Sequence, residues 1–176
     1  MQDIQELITA LLSKDAGFAY ESLGRLEALS VSSNAVYEYF DEFLKMLEHE
    51  SSYVRTRGFV MTVANARWDE DCKVDENIDR ILKILRDPKP IAARQAIKRT
   101  PDLARCKPNL RADILRALEQ ALDTNYPESM QSLVRKDVSL AIDRINSLPP
   151  PRRTTPGLLK KSSSRGGTPR GKPLCS

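Results

Sequence analysis

The chain has 176 residues, which suits one domain with a buried core, and its net charge is +4. A core built from this length can bury roughly 70% of the surface of the unfolded chain, so stability requires neither disulfides nor a metal ion. The charge is divided unevenly. Residues 149–176 carry seven basic side chains and no acid, which leaves a net charge of −3 for residues 1–148. A mildly acidic body followed by a basic tail is not the composition of a strongly basic nucleic-acid-binding domain.

The cysteine count and the amino terminus predict where the protein works. The three cysteines, Cys72, Cys106 and Cys175, are odd in number and far apart, which is not the pattern of a disulfide framework and is typical of a reducing compartment. The first residues, MQDIQELITALLSKD, carry acids where a signal peptide needs positive charge. No apolar run approaches the roughly 20 residues needed to span a bilayer. We therefore expect a cytoplasmic protein.

Helical periodicity runs through the body of the chain, and strand signals are almost absent. Apolar residues recur three and four positions apart, beginning with Ile4, Leu7, Ile8, Leu11 and Leu12. The pattern predicts eight helices, near residues 4–12, 18–29, 36–47, 51–71, 74–85, 88–105, 110–122 and 127–147. Within the sixth, Thr100-Pro101-Asp102 has the form of a fresh helix cap with proline at the first helical position, which predicts a kink or a short restart.

An acidic residue recurs at the turns that join consecutive predicted helices. Asp15, Glu50, Asp87 and Asp123 are separated by 35, 37 and 36 residues. A near-constant period of this length is typical of proteins in which two-helix units stack along one axis. We therefore predict an all-α fold, an α-solenoid of about four helix pairs over residues 1–148, followed by a disordered tail over residues 149–176 that is rich in Pro, Gly and Ser.

Two consecutive turns also resemble the HEAT repeat of armadillo-like proteins. The matching segments are ESSYVRTRG at residues 50–58 and, more loosely, DPKPIAAR at residues 87–94. More narrowly, SSYVRTRGF, ARWD and PIAARQAIKRTPDLARCKPNL resemble short bacterial HEAT-like proteins, some of which carry the name "SufBD protein". The resemblance covers residues 3–147 and implies a HEAT-like solenoid. The family name implies, as a further alternative, an accessory role in iron–sulfur cluster assembly.

The resemblance implies a structural ladder formed by Glu50, Arg57, Asp87 and Arg94. Arg57 and Arg94 each follow a turn acid by seven residues, and arginines at this place in HEAT-like stacks commonly pair with the turn acids of a neighbouring repeat. Ligand binding by the same arginines is the alternative. Trp68, the only tryptophan, is expected to be a buried plug between repeats rather than an exposed anchor for a partner.

Four basic residues are candidates for binding a partner. Arg94, Lys98 and Arg105 share one side of the sixth predicted helix and predict a basic strip, although a solvated helix face is the alternative. Arg55 has no counterpart in the next repeat, where Ala92 stands at its place, so we predict that Arg55 contacts the partner.

Signals for catalysis and cofactors are weak. His49 is the only histidine, and the chain contains neither a Cys-x-x-Cys motif nor a Gly-rich phosphate loop after a strand. We therefore predict no enzyme activity, no metal and no cofactor. The predicted function is a noncatalytic scaffold that binds a protein or peptide on its concave face. The alternative is a nucleic-acid-binding protein that uses the basic strip and the basic tail.

Overall fold

The computed structural model describes residues 3–150, and the predicted basic tail lies outside them from residue 151 onward. The described residues form helices and no strand, which confirms the predicted all-α class. The α-helices are α1 (Ile4–Ala10), α2 (Ala16–Ser32), α3 (Phe40–Met46), α4 (Ser52–Asn65), α5 (Lys73–Glu76), α6 (Ile78–Leu82), α7 (Pro90–Cys106), α8 (Arg111–Ala121) and α9 (Glu128–Asn146). Short 3₁₀ helices cover Ala35–Tyr39, Ala66–Trp68, Lys83–Arg86 and Pro108–Leu110.

The helices contact one another in chain order. Helix α1 packs on α2, α3 on α4, the 3₁₀ helix Lys83–Arg86 on α7, and α8 on α9. The four longest helices also form a series, because α2 contacts α4, α4 contacts α7, and α7 contacts α9. The four turn acids, Asp15, Glu50, Asp87 and Asp123, lie in the connections that lead into these four helices.

The hydrophobic core is one continuous cluster to which the helices contribute in turn. Its largest fully buried side chains include Phe40, Phe43, Phe59, Ile97 and Ile114. Helix α4 lies at the centre of the cluster, and apolar residues are buried on most of its sides. An amphipathic helix buries a single stripe, so α4 is enclosed by neighbours to an unusual degree for this chain.

Close approach of α3 and α4 explains the glycine in the middle of α4. A Cβ atom added at Gly58 would lie 2.7 Å from Met46 Cβ and 2.9 Å from the carbonyl oxygen of Phe43. The second contact is with backbone, which cannot move aside without separating the two helices. The glycine therefore permits a helix contact that any other residue prevents.

Gly58→Ala is expected to lower the free energy of unfolding by about 2 kcal/mol, the usual cost of overpacking a core, in spite of the better helix propensity of alanine. The matched control is Gly24→Ala in α2, where an added Cβ meets nothing within 4 Å. This control is expected to be neutral or stabilising by up to about 1 kcal/mol. Urea denaturation measures both variants, and equal stability of the two would contradict the close-packing explanation.

The sequence predicted a kink or a short restart at Pro101, and the restart does not occur, since α7 is helical without interruption from Pro90 to Cys106. Proline has no N–H, so the carbonyl of Ile97, four residues earlier, loses its usual helical donor. The side-chain hydroxyl of Thr100 donates to that carbonyl at 2.7 Å. A neighbouring side chain thus replaces the missing backbone hydrogen bond, and the Thr-Pro pair continues the helix instead of starting a new one.

The fifth predicted helix is divided where the sequence pattern indicated a continuous one. Helices α5 and α6 are separated at Asn77, whose backbone φ is −114° and whose side-chain amide donates to the carbonyl of Lys73 at 2.9 Å. Asparagine competes for backbone partners in this way and interrupts helices. Within residues 3–150, no helix is both long enough and apolar enough to cross a membrane.

Candidate partner-binding groove

A groove of about 890 Å³ runs across α2, α4 and α7 and reaches α9 at Met130. We refer to it as the binding groove. Its lining residues come from the four helices that follow the turn acids and from the turn before α7. Its volume falls within the range of roughly 300–1,000 Å³ found for ligand-binding clefts.

Helices α2, α4 and α7 each contribute one large exposed side chain to the groove, and α9 contributes one that is partly buried against the core. Tyr20 of α2 is 78% exposed, Tyr53 of α4 is 72% exposed, and Ile91 of α7 is 59% exposed. Met130 of α9 lies against the same groove and is partly buried. Single exposed apolar residues are common on protein surfaces, but several along one concave surface are typical of an interaction site.

The charged side chains that line the groove are four bases, Arg57, Lys89, Lys98 and Arg99, and one acid, Glu27. Their net charge is therefore +3, although residues 1–148 as a whole carry −3. Arg99 of α7 forms an ion pair with Glu27 of α2, with 2.8 Å between Nη1 and Oε1. The groove is a basic surface on an acidic body.

Arg57 does not form the predicted ion pair with a turn acid among the described residues. Its Nη1 donates to the carbonyl oxygens of Leu11 at 2.8 Å and Ser13 at 3.2 Å, which lie at the end of α1. Burial lowers the pKa of Arg57 below its usual range, because its charge is partly desolvated. The residue is therefore a joint to the preceding helix pair, made through carbonyl groups rather than through a carboxylate.

Arg55, which was predicted to contact a partner, forms an ion pair with the turn acid Asp87. Its Nε and Nη2 donate to the two carboxylate oxygens of Asp87 at 2.6 and 2.9 Å, and its Nη1 donates to the carbonyls of His49 and Glu50, each at 2.8 Å. The carboxylate side chain is 3% exposed, and the hydrogen bond to Asp87 raises the pKa of Arg55. Arg55 thus has the structural role that was predicted for Arg57, and it does not line the groove.

The three residues of the predicted basic strip on the sixth helix do not form one continuous basic surface. Arg94 donates to Asp137 of α9 at 2.6 Å rather than to a turn acid, and Lys98 lies 3.8 Å from the same carboxylate. Arg105 forms an exposed ion pair with Asp102 one turn earlier in α7. Only Lys98 of the three lines the groove. The structure therefore brings Arg57 and Lys98 together in the groove and places Arg55, Arg94 and Arg105 outside it.

Sequence reasoning missed the groove's apolar row. Tyr20, Tyr53 and Ile91 follow the turn acids Asp15, Glu50 and Asp87 by five, three and four residues. Apolar residues near the start of each second helix, outside its core stripe, were the signal available in the sequence.

A second charged cluster is a structural joint. The carboxylate of Asp69, which is fully buried, accepts from Lys107 Nζ at 2.7 Å and from the Tyr37 hydroxyl at 2.7 Å. It also accepts from the backbone N–H groups of Lys73 at 2.8 Å and Val74 at 3.0 Å. Burial alone would raise the pKa of Asp69, but these hydrogen bonds outweigh it and hold the pKa below its ordinary value. Every strong donor here is already used, so the cluster has little to offer a ligand.

The side chains of His49 and Cys106, which are the kinds of group that perform acid–base or nucleophilic chemistry, are held within the fold. The ring Nδ1 of His49 accepts from the backbone N–H of Ser51 at 3.0 Å, and burial raises the pKa of the Cys106 thiol. Across residues 3–150, no three His, Cys, Asp or Glu side chains are arranged to hold a metal ion.

Comparisons of the chain with protein families, curated proteins and solved structures found no match.

Proposed function

We propose that this protein is a noncatalytic interaction module, a HEAT-like α-solenoid of four helix pairs that binds a protein segment or peptide in the binding groove. The order of helix contacts and the 35- to 37-residue spacing of the turn acids support the solenoid. The observation that carries the binding role is the row of Tyr20, Tyr53, Ile91 and Met130, one from each of the four groove helices.

The groove suits an extended segment rather than a broad protein surface. Its four apolar contacts follow one another from helix to helix, so a chain lying across α2, α4, α7 and α9 meets them in sequence. Burying a side chain of this size is worth about 1.5–3 kcal/mol before the costs of association. Tyrosine is favourable in such a role because it provides a large contact area with few rotatable bonds.

Nucleic-acid binding is the second candidate, and the specific observation in its favour is that Tyr20 and Tyr53 stand among basic side chains, as in proteins that stack single-stranded bases. Two of the cations predicted to serve it, Arg94 and Arg105, are paired with Asp137 and Asp102. Steep loss of oligonucleotide binding as salt is raised would favour this candidate. We find no observation among residues 3–150 that favours a role in iron–sulfur cluster assembly.

The test is selection of peptides from a random library by the full-length chain, followed by affinity measurements on variants. Tyr53→Ala is expected to weaken a selected peptide about tenfold, because it removes a central exposed aromatic contact. The matched control is Leu140→Ala in α9, where the leucine is also exposed but lies outside the groove. The control is expected to bind like the wild type.

Two outcomes would reject the proposal. One is a library that yields no specific binder. The other is a set of binders that Leu140→Ala weakens as much as Tyr53→Ala does. Thermal denaturation of both variants shows whether any loss reflects unfolding rather than loss of the contact.

A further inference from the structure

We propose that the ligand of the binding groove is an acidic peptide segment, with carboxylates interspersed among apolar side chains, and that Glu27 is an internal competitor that holds Arg99 until such a ligand arrives. The inference rests on the proposed function and specifies its ligand. It follows from the charges of the groove, from the state of each cation, and from the ion pair between α2 and α7.

Two of the four groove cations, Lys89 and Arg57, form no ion pair within residues 3–150, and a third, Lys98, forms only a long one with Asp137. Lys89 is exposed and forms no ion pair in this range, and Arg57 donates only to carbonyl groups. Lys98 lies 3.8 Å from Asp137, but that carboxylate already accepts from Arg94 at 2.6 Å. These cations are available to an incoming anion, which gains Coulomb energy in a concave site that excludes part of the solvent.

Within residues 3–150, Arg57 has unused N–H donors, which favour a particular orientation of a ligand carboxylate. A guanidinium has five N–H donors, and only Nη1 donates to the carbonyls of Leu11 and Ser13. Its Nε and Nη2 have no acceptor among the described residues. Since burial also lowers the pKa of Arg57, its charge is poorly compensated, and a ligand carboxylate would supply the missing counterion.

The shape of the apolar row favours a peptide over a nucleic acid. Ile91 and Met130 present aliphatic surface at the α7 and α9 end of the groove, whereas nucleobases stack on aromatic planes. The chain's own residues 151–176 contain no acid, so their charge excludes them as the occupant. In a segment with alternating acidic and apolar residues, the carboxylates pair with the groove cations and the apolar side chains pack on the apolar row.

The ion pair of Arg99 with Glu27 joins side chains 72 residues apart across the groove. The two side chains are 41% and 28% exposed, so the pair is a solvated one that an incoming carboxylate can replace at small cost. A ligand that uses Arg99 must first displace Glu27. Removing the charge of Glu27 while keeping its shape should therefore tighten the binding of an acidic ligand.

The experiment uses the full-length chain and three matched libraries of peptides of about ten residues, which extend to roughly 30 Å. Alternate positions vary among Leu, Ile, Phe and Tyr, and the remaining positions are all Glu, all Gln or all Lys. The Glu library is expected to supply the tightest binders. Glu27→Gln is expected to tighten these binders about two- to fivefold, and Lys98→Gln to weaken them by a similar factor. Glu21→Gln is the control, an exposed acid on the same helix that does not line the groove, and it is expected to leave the affinity unchanged.

The outcomes separate this inference from the proposed function. Binding of the Gln or Lys library as tightly as the Glu library overturns the acidic ligand and, if Tyr53→Ala abolishes it, leaves the peptide-binding groove in place. An unchanged affinity in Glu27→Gln, or equal tightening in Glu21→Gln, overturns the competitor role. Absence of binding by all three libraries overturns both proposals, and so does displacement of every peptide by a short oligothymidylate at lower concentration.

Discussion

Replacing Asp87 with alanine is expected to lower the free energy of unfolding by about 3–4 kcal/mol, because it leaves the Arg55 guanidinium half-buried without its carboxylate. The change also removes the acceptor for the backbone N–H of Lys89, which Asp87 Oδ1 holds at 2.8 Å. Arg55→Ala is expected to cost a similar amount. Chemical denaturation measures both variants, and the double variant should cost much less than the sum of the two because they share one interaction.

The matched control is Glu50→Ala. Glu50 stands in the turn before α4, as Asp87 stands in the turn before α7, but its side chain is exposed and forms no ion pair within the described part of the chain. A surface acid of this kind is usually worth less than about 0.5 kcal/mol. If Asp87→Ala and Glu50→Ala destabilised the protein equally, the bidentate pair would have no special role in joining α4 to the turn before α7.

Replacing Asp69 with asparagine is expected to lower the free energy of unfolding by about 3 kcal/mol at neutral pH, because the amide cannot accept from all of the donors that now converge on the carboxylate. Lys107 would retain Asp75, which lies 3.0 Å from its Nζ, so the loss should be smaller than that of a buried lysine left with no partner. Asp71→Asn, at an exposed acid two residues further on, is the control.

The loss in Asp69→Asn should depend on pH in a direction set by the lowered pKa of the carboxyl. A carboxyl whose pKa is lower in the folded chain contributes stability that is complete above its unfolded pKa of about 3.9. The contribution declines as the pH falls toward the pKa of the folded state. Denaturation at a series of pH values should therefore show the wild type and Asp69→Asn converging below about pH 4. A difference that stayed constant into stronger acid would mean that the ionised carboxylate is not what stabilises the fold.

The positions of the helices were predictable because they depend on local pattern. Apolar spacing located the first helices, and Asp87-Pro88 ended the fifth predicted helix where the 3₁₀ helix Lys83–Arg86 ends. Trp68 was expected to be a buried plug between repeats; its side chain is only partly buried, and its Nε1 donates to the carbonyl of Ser30 in α2 at 2.8 Å. Such features follow from the residue and its immediate neighbours in sequence.

The partner of each arginine was not predictable in the same way. Arg55 and Arg57 are two positions apart on α4, which turns them about 200° from each other around the helix axis. A repeat register uncertain by two residues therefore cannot tell which of them faces the next turn and which faces α1. The acid that binds Arg94 was equally hidden, because Asp137 lies 43 residues away, in the middle of α9, and has no place in the turn pattern.

The hydrogen bonds of Arg55 also affect the distance between two side chains that line the groove. One guanidinium binds the connection before α4, through His49 and Glu50, and the connection before α7, through Asp87. Tyr53 and Ile91 stand within four residues of those two connections. The same guanidinium therefore fixes the distance between Tyr53 and Ile91, and under the proposed function this distance sets the spacing that the side chains of a ligand must match.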